Sequence, residues 1–187
     1  MPNWDNVYTE KKVAAATPSD VLINNVHLLP EAGEALDYAC GLAANGLFLA
    51  KKGFQVKAWD LSEIAIDKIN NYANENQLNL SATVYDLENN SVSIKNKFDV
   101  IVVSYFFHRE SLRKLYDLLK KDGLLFYQTF SNQQYNEQGP AREAYRLKRN
   151  ELIDVFSDMQ ILFYREDDVF VNAENAKLGV TYFVAKK

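Results

Sequence analysis

Leu36-Asp37-Tyr38-Ala39-Cys40-Gly41-Leu42-Ala43, followed further on by Gln55-Val56-Lys57-Ala58-Trp59-Asp60, is the part of the chain that decides its fold. It reads as a strand ending in a turn of small residues, a helix, and a second strand ending in an acid, the βαβ layout of a nucleotide-type site. A turn without bulky side chains lets a ligand lie against main-chain N–H groups, and a carboxylate on the next strand tip accepts hydrogen bonds from a ribose. The pair points to an adenosine-bearing ligand. The turn alone does not choose which one, because Ala39-Cys40-Gly41-Leu42-Ala43-Ala44 also fits a dinucleotide fingerprint with alanine at two of its three glycine places.

Outward from this unit the chain alternates between strand and helix patterns. Upstream, Thr17 as cap, Pro18 at the first helical position and Asp20 at the positive end of the dipole open a helix. Its apolar face is Leu22, Val26 and Leu29, and Pro30 ends it. Residues 35–39 are the first predicted strand, 44–52 a helix stopped by Gly53, 54–60 the second strand, and 62–76 a helix capped by Ser62 with Ala65, Ile69, Tyr72 and Ala73 inward. Residues 80–86 follow as strand three. After a polar connection through Asn89-Asn90-Ser91, residues 98–104 form the nearly unbroken apolar run of a strand buried on both faces.

Leu112, Leu115, Tyr116 and Leu119 make the stripe of the next helix, and Lys121-Asp122-Gly123 turns the chain into strand five, 124–130. Residues 131–146 are then a polar stretch holding Gly139-Pro140, longer than the ~12–15 residues that structureless loops usually reach inside compact domains. Such a stretch is a substrate-side lid or an insertion. A helix at 148–156, a strand at 160–166, a connection through Asn172-Ala173-Glu174-Asn175 and a strand at 178–185 complete the chain. Two strands joined without a helix of crossover length must be antiparallel neighbours. The expected fold is α/β: a Rossmann-like, doubly wound, mostly parallel seven-stranded sheet with a C-terminal antiparallel hairpin, in one domain over 1–187 with an N-terminal flap and helix at 1–30.

Composition narrows the function. With 48% hydrophobic and 13% aromatic residues, the 187-residue chain can bury a core without disulfides or metals. Its one cysteine, Cys40, excludes an internal disulfide and a cysteine-rich zinc site, so no metal is expected and a reducing, cytoplasmic compartment is the simplest home. The longest apolar-dominated run, 100–107, is far too short to span a bilayer. Net charge is −4 and the basic residues are scattered apart from Arg142, Arg146, Lys148 and Arg149, which argues against nucleic acid and for a small-molecule partner. Oligomeric state is not legible here.

The layout separates the two cofactor readings better than the turn does. Dinucleotide dehydrogenases usually continue the parallel sheet or add a substrate domain, for which this length leaves little room. Four pieces carry a closer likeness: Trp4 with Tyr8, Leu36-Asp37-Tyr38-Ala39-Cys40-Gly41, Leu49-Ala50-Lys51-Lys52-Gly53, and Glu151-Leu152-Ile153-Asp154-Val155-Phe156. On these the chain resembles the class I S-adenosylmethionine-dependent methyltransferases over nearly its whole length, and within them the small tellurite-resistance-type branch.

The resemblance implies that S-adenosylmethionine is the cofactor and a small molecule the acceptor, a soft chalcogen oxyanion or related nucleophile. It implies that Asp37, Ala39, Cys40 and Gly41 line the methionine side, that Asp60 holds the ribose hydroxyls with Leu61 beside the adenine, and that Asp86 with Leu87 meets the adenine amino group. Ser104 would face the sulfonium, and Trp4 and Tyr8 would cover the cofactor as a flap. The family turn has glycine where this chain has Ala39 and Ala43. The expectation is that both alanines take negative φ and leave the site intact; at positive φ each would cost roughly 1 kcal/mol or more.

Methyl transfer needs alignment and exclusion of water more than acid–base chemistry. His108, just past strand four, is the candidate general base, its alternative role being a helix-entry residue. Tyr105 is the second catalytic candidate, and with Phe106 and Phe107 forms either an aromatic wall beside the sulfonium or plain core. Arg142, Tyr145 and Arg146 are the candidate substrate clamp. Two rivals stand beside this reading: an NAD-dependent reductase, and a catalytically silent cofactor-binding or interaction protein that kept the fold.

Overall fold

A computed structural model describes residues 3–89, 96–132, 138–167 and 177–187. Seven strands form one sheet in the order β3-β2-β1-β4-β5-β7-β6. They are β1 (Glu34–Tyr38), β2 (Gln55–Asp60), β3 (Leu80–Val84), β4 (Phe98–Ser104), β5 (Leu119–Phe130), β6 (Gln160–Asp167) and β7 (Val180–Lys186). β1 to β5 are parallel, while β7 runs antiparallel between β5 and β6, the predicted hairpin closing the sheet. The connection through Asn172 to Asn175 lies outside the described residues, as do 90–95 and 133–137.

Six α-helices accompany the sheet among the described residues: α1 (Trp4–Tyr8), α2 (Asp20–Asn24), α3 (Ala44–Lys51), α4 (Glu63–Glu75), α5 (Leu112–Leu118) and α6 (Glu151–Val155). Ser62 caps α4 as expected, its Oγ accepting Ala65 N–H at 3.2 Å, and Ala65, Ile69 and Ala73 are buried with Tyr72 packed beside them. The strand alternation splits the core in two. Val100 and Val102 of β4 join Leu22, Leu49, Phe54 and Ile69 on one face of the sheet, whereas Ile101 and Val103 join Leu36, Leu112, Leu115 and Phe156 on the other. Two covered faces explain why β4 has no polar alternation. β1 and β4 are neighbours although β2 and β3 intervene in sequence, so their carboxyl ends flank the point where the winding of the sheet reverses. Ligands of open α/β sheets bind there.

Several boundaries differ from the sequence reading. Ser19, not Thr17, is the residue before α2, and its N–H and Oγ both donate to Asn45 Oδ1, at 2.8 and 2.9 Å. α2 stops at Asn24 because Asn25 leaves helical geometry, its amide turned back to Val21 O; a short 3₁₀ turn, Val26–Leu28, carries the rest of the apolar pattern. Leu119 opens β5 and does not end α5. The first strand ends at Tyr38, one residue before Ala39, for the reason given next.

Candidate active site

Ala39, Gly41 and Ala43 all lie in the left-handed region, at φ 55, 54 and 55°. The expectation of negative φ at both alanines is therefore wrong. Alternating left-handed residues curl the chain tightly between β1 and α3, which requires φ > 0 whatever the side chain, and each alanine bears about 1–2 kcal/mol of strain there. Their methyls do different things. Ala43 is fully buried in the core, and only Ala39 lies on the wall of the cavity above the strand tips.

That cavity measures about 1470 Å³ and opens at the carboxyl ends of β1 to β4. Ala39, Cys40, Gly41, Asp60, Leu61, Asp86, Leu87, Ser104, Trp4 and Tyr8, all read from the sequence as cofactor residues, lie on its wall. Asp37 does not. It is fully buried beneath the turn, where Oδ2 accepts Gly46 N–H at 2.8 Å and Oδ1 faces Asn45 Nδ2 at 3.4 Å, so it anchors the start of α3. Burial pushes its carboxyl up to about 7. Burial, with the carboxyls of Asp37 and Asp60 nearby, raises the pKa of the Cys40 thiol and makes it a poor nucleophile.

Asp60, at the tip of β2, accepts Gly41 N–H on Oδ2 at 2.8 Å and Ser62 N–H on Oδ1 at 3.0 Å. A carboxylate has about four acceptor positions, so these bonds do not exhaust it. Burial raises its pKa in spite of these bonds. Leu61 beside it is 48% exposed, an apolar side chain left bare on the cavity wall. Tyr85, just past β3, stacks on Trp59, with centroids 5.0 Å apart, next to Asp86 and Leu87.

Tyr105 is the residue most constrained beyond β4. It is left-handed at φ 55°, its N–H donates to Gln128 O at 2.8 Å and its ring lies 5.0 Å from that of Phe130. Gln128 is fully buried, and its Oε1 accepts Val21 N–H at 2.9 Å, so its Nε2 must be the group 2.7 Å from Tyr105 Oη. An amide NH₂ only donates. The phenol oxygen is consequently the acceptor in that bond, and its own hydrogen is left for another partner. Tyr105, Phe106 and Phe107 all line the cavity, although Phe107 is also core.

His108 is not on the cavity wall; it stands at the entry to the helix that follows. It precedes the 3₁₀ turn Arg109–Ser111, its carbonyl accepts Ser111 N–H, and its Nδ1 lies 2.7 Å from Ser111 Oγ, which donates to Leu87 O. The proposed clamp divides likewise. Arg142 and Tyr145 line the cavity, but Arg146 is buried, its guanidinium donating to the carbonyls of Ser131, Gln138 and Pro140. Arg146 thus staples the loop rather than facing a substrate. Arg109, not singled out from the sequence, holds the same loop by donating to Ala144 O and Arg146 O while pairing with Glu151 at 2.6 Å.

Asn45 was also not evident. Oδ1 takes both donors of Ser19, and Nδ2 reaches Asp37 Oδ1 and, at 3.1 Å, Ser104 Oγ. One buried amide therefore ties α2 to the tips of β1 and β4. Its only sequence signal is a polar residue in the first turn of an otherwise apolar helix. Lys11 and Lys12, from the segment that walls one side of the cavity, were missed as well.

Residues 3–176 match the family described as Tellurite resistance protein TehB. The chain belongs to the TehB family. It is 27% identical over 140 residues to the probable S-adenosyl-L-methionine-dependent methyltransferase TehB of Haemophilus influenzae, covering 72% of this chain and 48% of that protein. The chain thus spans about half the length of that curated TehB relative. The crystal structure of TehB from Haemophilus influenzae superposes with a TM-score of 0.75 at 22% identity, covering 98% of this chain and 67% of that one. Coclaurine N-methyltransferase bound to N-methylheliamine and SAH gives 0.63 at 18% identity, over 78% and 49%. At such identities these structures establish the shared fold. Among the described residues no helix is long and apolar enough to cross a membrane.

Proposed function

We propose that this TehB-family chain transfers a methyl group from S-adenosylmethionine to a small-molecule acceptor. The observation that carries the reading is the cavity itself: the turn after β1, the strand-tip carboxylate of Asp60, the bare side chain of Leu61 and Asp86 all line it, and together they suit an adenosine with a short charged tail. At about 1470 Å³ it exceeds the ~300–1,000 Å³ of ordinary ligand pockets, which leaves room for a second molecule. The name of the Haemophilus influenzae relative and the SAH bound to the coclaurine enzyme support the same choice.

The residues fit the cofactor. Asp60 would hold the ribose hydroxyls, Leu61 the adenine face, Asp86 and Leu87 the adenine edge, and Gly41 with Ala39 and Cys40 the methionine end, while Asp37 keeps the turn in place from below. When bound, S-adenosylmethionine supplies a methyl carbon that is already electrophilic, so the protein's work is alignment and exclusion of water. Tyr105 offers its hydroxyl hydrogen to the acceptor, Arg142 and Tyr145 flank it, and residues 138–146, stapled by Arg146 and Arg109, serve as the substrate-side cover. With His108 withdrawn from the wall, an acceptor that is nucleophilic without losing a proton is the best match; a soft chalcogen oxyanion is of that kind. A cytoplasmic setting suits the lone thiol of Cys40.

Calorimetric titration against S-adenosylhomocysteine and NADH tests the reading. Heat with the first and none with the second is expected, followed by methyl turnover on a panel of hydroxyl, amine, thiol and selenite acceptors. Heat with NADH alone would make the chain a reductase, and binding without any turnover would leave a silent cofactor-binding protein.

A further inference from the structure

The cavity has one wall that is attached differently from the others. Residues from Trp4 to Thr17 form it, yet α1 buries none of its five residues and Trp4 is 39% exposed. A five-residue helix has no stability of its own. What holds it is polar and comes from α4. Asp5 Oδ1 accepts Ser62 Oγ–H at 2.6 Å and Ile64 N–H at 3.3 Å, which places a carboxylate at the positive end of α4. One to two turns along, Lys68 Nζ donates to the carbonyls of Tyr8 at 2.8 Å, Lys11 at 3.0 Å and Thr9, satisfying the open end of α1 with a cation. Within the segment only Tyr8 packs against the core, and only in part; the first fully buried side chain is Val13, so beyond that one ring residues 4–12 are fastened by two charged side chains.

This fastening reaches the site. Tyr8 Oη lies so close over the turn that a Cβ on Gly41 would sit 2.8 Å from it. Ser62, which donates to Asp5, also gives its N–H to Asp60. The flap, the ribose-side carboxylate and the turn are therefore joined by consecutive hydrogen bonds. Lys68 itself is absent from the cavity wall.

We propose that Lys68 and Asp5 are positioning residues that dock residues 4–12 as a detachable wall, so that closure of this wall and cofactor binding form one linked equilibrium. Linkage is reciprocal: whatever docks the segment raises affinity for the cofactor, and the cofactor docks the segment. The inference rests on the S-adenosylmethionine reading above.

The chain carries its own probe, since trypsin cleaves after Lys11 and Lys12, both exposed just before the Val13 anchor. In the wild type, S-adenosylhomocysteine should slow release of the fragments ending at Lys11 and Lys12, followed by mass. Lys68→Met should lower affinity for S-adenosylhomocysteine about tenfold by calorimetry and abolish that protection, with the melting temperature of the unliganded protein little changed. Lys68→Arg, which keeps the cation, should restore most of both. Asp5→Ala should behave like Lys68→Met. Wild-type affinity and wild-type protection in Lys68→Met would overturn the proposal while leaving the cofactor reading intact. Failure of both Lys68→Met and Asp5→Ala to fold would also overturn it, because the segment would then be part of the core. No binding of S-adenosylhomocysteine by the wild type would remove the cofactor reading and the proposal together.

Discussion

The carboxylate of Asp60 accepts the main-chain N–H of Gly41 at 2.8 Å, so the tip of the second strand holds the turn that follows the first. Two segments that the sequence separates by a helix are joined on the cavity wall by that bond. Asp60 is mostly buried, which favours its neutral form, whereas donation from a ribose diol would favour the charged one.

The sign of the resulting pH dependence follows. If the ligand lowers the pKa of Asp60, affinity for S-adenosylhomocysteine must rise as pH rises through the titration of the free protein. Asp60→Asn should lose at least tenfold in affinity and flatten this dependence. Calorimetry at stepped pH checks both, and a profile that keeps its slope in the variant would assign it to another group.

Asp37 should leave a mark on stability instead. Its folded-state pKa of about 7 lies above the ordinary 3.8, so the folded protein binds the proton more tightly than the unfolded chain. Its contribution is fully present below about 4 and is lost as pH rises through about 7. Asp37→Asn removes the titration, so the difference in melting temperature between wild type and variant should change steadily across this interval, with the wild type losing ground. A constant difference would contradict the assignment.

The two strained alanines should part company. Ala39→Gly relieves a left-handed alanine on the cavity wall and should stabilise the protein by about 1 kcal/mol in urea denaturation. Ala43→Gly relieves the same strain but removes a fully buried methyl, worth about 0.8 kcal/mol, and should come out near neutral. Equal effects would mean that the Ala43 methyl contributes nothing to the core.

Arg146→Met should cost about 2–3 kcal/mol, since the carbonyls of Ser131, Gln138 and Pro140 lose a charged donor. Affinity for S-adenosylhomocysteine should hardly move, because Arg146 is not on the cavity wall. Urea denaturation and calorimetry separate the two, and a variant that keeps wild-type stability while losing affinity would restore Arg146 to the binding site.

How much of this is legible without coordinates depends on how local the cause is. Periodicity is local, so β1 to β5, the amphipathic α4 with its Ser62 cap and the C-terminal hairpin can be read from spacing alone. So can the strand tips that face the cavity, because a βαβ unit fixes which end of each strand receives ligand. Helix ends are less legible: α2 stops where Asn25 bonds back to Val21, a choice a short polar side chain makes in context.

Side-chain roles divide along the same line. The sequence by itself determined a doubly wound sheet with a small-residue turn and an acid, Asp60, at the tip of the next strand, because those positions follow from strand phase and length; Leu61, Asp86 and Ser104, which the family resemblance added, line the same cavity. Only the tertiary structure decided that Ala39 and Ala43 are left-handed, that Asp37 and Arg146 act from beneath the surface, that His108 turns to Ser111, and that Asn45, Gln128 and Lys68 hold the parts together. Each of those outcomes depends on which donor meets which acceptor across elements far apart in the chain, and burial makes such partners obligatory without leaving any period in the sequence to announce them.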